Sequence, residues 1–219
     1  MPLLEEKVKQ EVKDFFKDLK DPVKLVVFTQ DSLLTIPGME CQTCRDNRVL
    51  MEDIAELSDK LSVEIYDFVK NKEVAQKYGV EKIPCTIVKG ETDYGIRLYG
   101  LPGGYEFATL LNAIKIVSKK DSELSSETKE KLKEINKPIH IQVFVTLACP
   151  YCSNAAEMGH RFALENENIS ADMINAQEFP QLAQRYNVFA VPKIVVNETI
   201  QFEGALPENQ FLQKVMEAV

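Results

Sequence analysis

Two stretches decide the fold: VFVTLACPYC at residues 143–152 and NVFAVPKIVV at residues 187–196. The first joins an apolar run, typical of a buried β-strand, to two cysteines spaced as C-x-x-C. The second contains a proline followed by a run of apolar residues that predicts a short strand. Cys149 of the first stretch lies 43 residues before Pro192 of the second. These features form a pattern that can be searched for in the rest of the chain.

The same pattern occurs in the amino-terminal half. Cys41 of the pair CQTC also lies 43 residues before a proline, Pro84. An offset of 108 residues aligns residues 41–88 with residues 149–196 without a gap, and ten of the 48 positions are identical. Unrelated sequences would give about three identities, so the chain contains an internal duplication.

Both copies predict the same order of elements, an opening helix followed by β-α-β-α-β-β-α. This order predicts an α/β fold with a central mixed β-sheet flanked by helices in each copy. The predicted strands are 23–29, 62–68, 85–89, 139–146, 169–174 and 193–197, with returning strands at 96–100 and 202–204. Predicted helices, besides those that follow the cysteines, cover about 4–19, 71–78, 105–118, 126–135, 177–186 and 208–218.

The polar segment KKDSELS at residues 119–125 joins the copies. We therefore expect one domain in residues 1–120, with the CQTC site, and a second in residues 121–219, with the CPYC site. The first copy has a longer loop before its cysteines, containing Pro37 and Gly38.

Composition excludes several classes of function. The 219 residues have a net charge of −8, which argues against nucleic acid or an anionic membrane surface as a partner. No apolar run approaches the length of a membrane helix. The first ten residues, MPLLEEKVKQ, contain no apolar signal core, so a cytoplasmic location is expected. Only two histidines are present, which excludes most histidine-rich metal sites.

The spacing of the cysteines suits thiol–disulfide exchange. A C-x-x-C pair where a strand leads into a helix is the context of a thioredoxin-like redox motif. Unpaired N–H groups and the helix dipole stabilise a thiolate at the helix start, and the thiolate is the attacking species. Cys41 and Cys149 are therefore the predicted nucleophiles. Cys44 and Cys152 are the predicted resolving thiols that break the mixed disulfide.

The two prolines suggest a place for substrate. A proline in a cis peptide bond opposite the cysteines would turn the backbone of the preceding residue toward the site, where a substrate strand could add to it. Ile83 and Val191, before Pro84 and Pro192, are the predicted substrate-binding residues. The spacing alone leaves the isomer open, since only about 5–6% of X-Pro bonds are cis.

Five segments resemble one known family: KLVVF before CQTC, QVFVTLACPYC, RYNVFAVPKIVV, RLYGLPGGYEF and FEGALPENQFL. They look like the glutaredoxin-like protein disulfide oxidoreductases of hyperthermophilic archaea and bacteria, and the resemblance covers almost the whole chain. It implies two thioredoxin folds packed together, four redox-active cysteines in the two pairs, and cis bonds at Pro84 and Pro192. CPYC is also the motif of glutaredoxins, whereas CQTC is less usual.

The resemblance also implies an activity: the reduction, formation and isomerisation of disulfides in protein substrates. A flavin-dependent thioredoxin reductase would be able to supply electrons. No metal or organic cofactor is expected in the chain itself. The main alternative is a dedicated electron-transfer module between a flavin-dependent reductase and a peroxiredoxin-like acceptor, as in alkyl hydroperoxide reductase flavoproteins.

Other interpretations of the cysteine pairs are a zinc knuckle, an iron–sulfur cluster shared between two chains, and a redox-inactive binding module or peptide-binding chaperone. Zinc ribbons space their pairs by roughly 15–20 residues, whereas 104 residues separate Cys44 from Cys149 here. Cys85 is expected to be a buried small hydrophobe, and both histidines are expected to be structural or exposed. Asp53 is a weaker candidate for a buried proton relay.

The two sites are expected to differ in reactivity. Glu40 directly precedes Cys41, and its charge opposes thiolate formation there, partly offset by Arg45. Residues 146–156 around the second pair contain no charged side chain. The sequence therefore predicts a lower thiol pKa at Cys149, together with a neutral rim suited to unfolded substrates.

Overall fold

The computed structural model describes residues 3–30 and 40–219. The strands are β1 (Val23–Thr29), β2 (Leu61–Asp67), β3 (Cys85–Lys89), β4 (Ile96–Tyr99), β5 (Ile139–Val145), β6 (Ile169–Asn175), β7 (Lys193–Val196) and β8 (Ile200–Glu203). The helices are α1 (Glu6–Phe15), α2 (Cys44–Ala55), α3 (Lys72–Lys77), α4 (Tyr105–Lys119), α5 (Ser126–Lys133), α6 (Cys152–Glu165), α7 (Pro180–Arg185) and α8 (Glu208–Met216). The long loop with Pro37 and Gly38 lies outside the described residues.

Within the described ranges, eight strands form one mixed sheet in the order β2-β1-β3-β4-β6-β5-β7-β8. In the first half, β1 pairs in parallel with β2 and antiparallel with β3. In the second half, β5 pairs in the same way with β6 and β7. The predicted mixed sheet flanked by helices is confirmed in both copies.

The two halves meet through strand pairing, because β4 of the first half pairs in parallel with β6 of the second. Ile96 lies opposite Ala171, and Tyr99 lies opposite Ile174. Since parallel strands end at the same edge, the segments that follow β4 and β6 emerge side by side. The division near residue 120 stays a prediction, because both halves contribute to one sheet.

The core lies on both faces of this sheet. In β1, Leu25 and Val27 pack into an apolar cluster with α1, α2 and α4, while Val26 and Phe28 pack into a second cluster on the opposite face. Successive residues of a strand point to opposite faces, so a strand buried on both faces needs a continuous apolar run. No helix in the described ranges is both long enough and apolar enough to span a bilayer.

The strand boundaries agree with the sequence prediction to within two residues, and several helices are shorter than predicted, for example α7, which begins at Pro180 and not at residue 177. The opening helix ends at Phe15 and continues only as a 3-10 turn over Phe16–Asp18. Ser125 caps α5, since its hydroxyl oxygen accepts the N–H of Thr128 at 3.2 Å. The returning strand β8 begins at Ile200, two residues before the predicted start.

Candidate active sites

Each C-x-x-C pair lies where a strand leads into a helix, β1 into α2 and β5 into α6. Disulfides join Cys41 to Cys44 and Cys149 to Cys152, with a Cα–Cα distance of 5.4 Å in both. Cys44 and Cys152 are 2% and 0% exposed, whereas Cys41 and Cys149 are only half-buried. In each pair, the first cysteine is therefore the sulfur that a substrate can reach.

The helices begin at the second cysteine, so the first cysteine lies just before the helix N-terminus. The N–H of Cys41 donates to Oε1 of Gln30 at 3.0 Å, and the N–H of Cys152 donates to the carbonyl oxygen of Cys149 at 3.3 Å. The partial positive charge of a helix N-terminus favours a thiolate at such a position. Both pairs have the electrostatic setting of a nucleophilic thiol.

Both prolines have the cis geometry that the family resemblance implies, at the Ile83–Pro84 and Val191–Pro192 bonds. The carbonyl oxygen of Val191 lies 3.7 Å from Sγ of Cys149. Ile83 lines the cleft that contains the first cysteine pair. The structure therefore places the backbone before each proline beside the cysteines, and the substrate-binding role of Ile83 and Val191 stays a prediction.

The CQTC site opens into a cleft of about 340 Å³ that both halves of the chain line. Residues 40–43 and 83–84 come from the first half, and Gln177, Glu178 and Pro180 come from the second. The pairing of β4 with β6 explains this arrangement, because it brings the segment after β6 next to the first site. The first site is thus completed by the second half.

Glu178 of the second half forms a hydrogen bond with the CQTC motif. The hydroxyl of Thr43 donates a hydrogen bond to Oε2 of Glu178, and the N–H of Leu101 donates to Oε1 at 2.8 Å. This approach requires a glycine at position 100, because a Cβ there would lie 2.9 Å from Oε1 of Glu178. The backbone φ of Gly100 is also +106°. Hydrogen-bond donors of the first half therefore hold the carboxylate of Glu178, which belongs to the second half.

Glu106, at the start of α4, is a buried carboxyl group beside Glu178. It is 1% exposed, and Nδ2 of Asn175 donates to its Oε1 at 3.3 Å. Burial, and next the negative charge of Glu178, raise the pKa of Glu106 to about 8. The carboxyl group of Glu106 is therefore mostly protonated at neutral pH.

The sequence interpretation missed both carboxyl groups. Glu106 lies four residues before the buried Leu110, on the apolar side of α4, and this spacing could have identified a buried acid. Glu178 gave no such signal, because its position depends on strand pairing between the halves.

The CPYC site differs in its surroundings. Leu147, Tyr151 and Phe189 are exposed apolar or aromatic side chains near the cysteine pair, and Phe189 is 91% exposed. The sequence around the pair, residues 146–156, has no charge. Exposed apolar side chains are therefore present beside the second pair, and the neutrality of the whole rim stays a prediction.

The remaining candidates have structural roles. Cys85 is a free, fully buried cysteine, and burial raises its pKa to about 12. Asp53 is buried, but its Oδ2 accepts the N–H of Leu3 at 2.7 Å and so holds the amino-terminal segment. Burial lowers the pKa of His160 to about 4, which keeps its ring neutral at physiological pH. His140 pairs through Nε2 with Oδ2 of Asp172 at 2.8 Å.

A cysteine pair at a helix start, beside a cis-proline on a mixed sheet, defines the class of thioredoxin-fold proteins. A family model described as a thioredoxin domain matches residues 139–217. The fold is similar to that of a protein disulfide oxidoreductase from Aeropyrum pernix, with a TM-score of 0.88 and 30% identity over 98% of this chain and 93% of that one. The NTD_N/C domain of the alkyl hydroperoxide reductase AhpF from Enterococcus faecalis has a TM-score of 0.87 at 21% identity, covering 97% of this chain and 99% of that one.

The chain belongs to the family of protein disulfide oxidoreductases, and each of its two C-x-x-C pairs is joined by a disulfide. Among curated proteins, it is 22% identical to the alkyl hydroperoxide reductase AhpF of Pseudomonas aeruginosa over 213 residues. The aligned region covers 97% of this chain and 37% of that protein. The chain spans about a third of the length of the first curated relatives that it matches, 34% and 37%.

We expect the Glu106→Gln variant to lose part of the pH dependence of stability. The pKa of about 8 in the folded protein lies above the ordinary value of 4.5, so the unfolded chain loses this proton at a lower pH. Between these two values, the free energy of unfolding of the wild type falls as pH rises, by up to about 1.4 kcal/mol per pH unit from this group.

Denaturant unfolding of the oxidised protein and of the variant, at several values between about pH 5 and pH 8, measures this difference. The wild type should lose stability relative to Glu106→Gln as pH rises. Parallel stability curves would contradict the assignment of a buried, protonated Glu106.

Proposed function

We propose that the chain reduces, forms and isomerises disulfides in other proteins through both cysteine pairs. The main observation in support is the same in both pairs: the first cysteine is only half-buried, so a substrate can reach it, whereas the second cysteine is buried. A reachable sulfur can meet a disulfide in a folded or unfolded chain. A buried partner three residues away can then release that substrate.

In the reducing direction, the thiolate of Cys149 attacks one sulfur of a substrate disulfide, and the other substrate sulfur leaves and takes a proton. The thiolate of Cys152 next attacks Sγ of Cys149, which releases the second substrate thiol and forms the Cys149–Cys152 disulfide. Two electrons pass from the dithiol to the substrate. Oxidation is the reverse, and isomerisation occurs when the free substrate thiolate attacks another disulfide before Cys152 acts.

The choice of substrate separates this proposal from the alternative of a dedicated electron-transfer module. The reduced chain should restore native pairing in a scrambled multi-disulfide protein, such as ribonuclease with mispaired cysteines. Rapid reduction of a single peroxiredoxin without any recovery of the scrambled protein would support the alternative. A passive chaperone would keep its activity after all four motif cysteines are changed to serine.

We further propose that the chain works in the cytoplasm and receives electrons from a flavin-dependent thioredoxin reductase. The relatedness to the alkyl hydroperoxide reductase AhpF supports a partner of the flavin class. The proposal is tested by mixing such a reductase, NADPH and a disulfide substrate, with and without the chain. NADPH consumption that does not depend on the chain would count against it.

We expect Cys149 to have a lower thiol pKa than Cys41. Both cysteines precede a helix N-terminus, so the difference comes from the side chains around them. Glu40 and the fixed carboxylate of Glu178 line the first site, and a nearby negative charge disfavours a second one. Residues 146–156 around the second pair carry no charge, and the exposed Phe189 adds none.

The pH dependence of alkylation measures the two values in variants that keep one pair, with the other pair changed to serine. The lower of the two pKa values is expected at Cys149. An equal or lower pKa at Cys41 would refute the electrostatic explanation.

A further inference from the structure

The cleft beside Cys41 is acidic on two sides. Glu40 is exposed at the end of the segment that leads into the motif, and Glu178 lies on the wall supplied by the second half. None of the residues lining this cleft in the described part of the chain is a lysine, arginine or histidine.

Basic groups near the motif face elsewhere. Arg45 is exposed on the first turn of α2 and does not line the cleft. Lys82 lies over the ring of Tyr99, with its Nζ 3.7 Å from the ring centre, and lines a different cleft. The charge of Glu178 is therefore not neutralised by a cation of the cleft lining.

Hydrogen bonds hold both the side chain and the backbone of Glu178 in place. Its side chain accepts hydrogen bonds from Thr43, inside the CQTC motif, and from the backbone of Leu101. Its own N–H donates to the side-chain oxygen of Asn175 at 3.3 Å, which holds the backbone at the start of this segment. A carboxylate held by donors in this way costs little to order when a cation approaches.

We propose that Glu178 is part of the substrate-binding cleft of the CQTC site, and that it makes this site select protein substrates with lysine or arginine beside the reacting cysteine. The proposal rests on the proposed function, because it names the substrate class of one of the two sites. The CPYC site, whose surrounding residues 146–156 carry no charge, does not share this selectivity. The two sites of one chain would then serve different sets of substrates.

Two matched peptides test this selectivity. Each carries one cysteine as a mixed disulfide with a 2-thiopyridyl group, and the cysteine is flanked by lysines in one peptide and by glutamates in the other. The enzyme is pre-reduced and keeps only the CQTC pair, through Cys149→Ser and Cys152→Ser. Attack by Cys41 releases pyridine-2-thione, and attack by Cys44 on Cys41 then releases the peptide thiol and leaves the Cys41–Cys44 disulfide.

The rate constant with each peptide is divided by its rate constant with dithiothreitol, which removes the intrinsic reactivity of the peptide. We expect the site to prefer the lysine peptide by about fivefold at low salt, the scale of a partly exposed charge pair. Added Glu178→Gln should reduce the preference to about twofold or less, as should high salt. The chain that keeps only the CPYC pair should show a smaller preference, unchanged by Glu178→Gln.

Glu167→Gln is the matched control, because Glu167 is an exposed residue just before the start of β6, whereas Glu178 follows the end of that strand. It should leave the preference unchanged. Equal rates with both peptides, or a preference that survives Glu178→Gln, would overturn the inference while leaving the proposed function intact. If neither peptide is reduced at either site, the proposed function itself fails.

Discussion

Cys152→Ser in a chain that lacks the CQTC cysteines should accumulate a covalent complex with a disulfide substrate, whereas Cys149→Ser in the same background should form none. The half-buried Cys149 can still attack in the first variant, but the buried thiol that would release the substrate is gone. In the second variant, the only remaining motif thiol is fully buried. Its reaction with substrate should be slower by at least about 10³-fold.

Non-reducing electrophoresis and intact mass of the trapped species measure this result, and the matched pair Cys44→Ser and Cys41→Ser tests the first site. Cys85 serves as an internal control, since it is fully buried and free in every variant. A complex that forms through Cys152 or Cys44 would reverse the assignment of nucleophile and resolving thiol.

Gly104→Ala should destabilise the protein strongly and disturb the CPYC site. Gly104 has a φ of +51°, and an added Cβ would lie 2.4 Å from the backbone carbonyl oxygen of Leu147. That carbonyl accepts a hydrogen bond from the N–H of Tyr105 at 3.2 Å, so the clash would disrupt the contact between α4 and the loop before Cys149. Strained backbone and a backbone clash together should cost about 3 kcal/mol.

Gly79→Ala is the matched control, because Gly79 also has a positive φ, +65°, but a Cβ there would meet no atom within 4 Å. It should cost only about 1 kcal/mol. Denaturant unfolding of the oxidised wild type and of the two variants measures how much each substitution lowers the free energy of unfolding. Equal losses would show that the approach of Gly104 to Leu147 contributes nothing to stability.

The repeat explains how much of the fold the sequence could predict. An alignment at one fixed offset places both cysteine pairs and both prolines, and these features are local or depend on spacing alone. The apolar runs at Val23–Thr29 and Ile139–Val145 are continuous, as expected of strands buried on both faces. Elements with such strong patterns were therefore predicted to within one or two residues.

The junction between the halves could not be predicted in this way. The pattern of Ile96–Tyr99 indicates a strand, but nothing in it identifies β6 as a partner. The composite cleft of the first site follows from that pairing, and so does the contact of Glu178 with Thr43. Side chains that act across the junction, here Glu178, were consequently missed.

The central claim is that both cysteine pairs are working dithiol–disulfide couples, and a redox titration of each pair tests it most directly. Two variants are needed, each with one pair changed to serine, equilibrated in thiol–disulfide buffers and quenched by alkylation. We expect both pairs to titrate as two-electron couples, with about 30 mV for each tenfold change in the ratio of reduced to oxidised protein. Titration of only one pair, with the other remaining as free thiols or as an unreactive disulfide throughout, would contradict the claim.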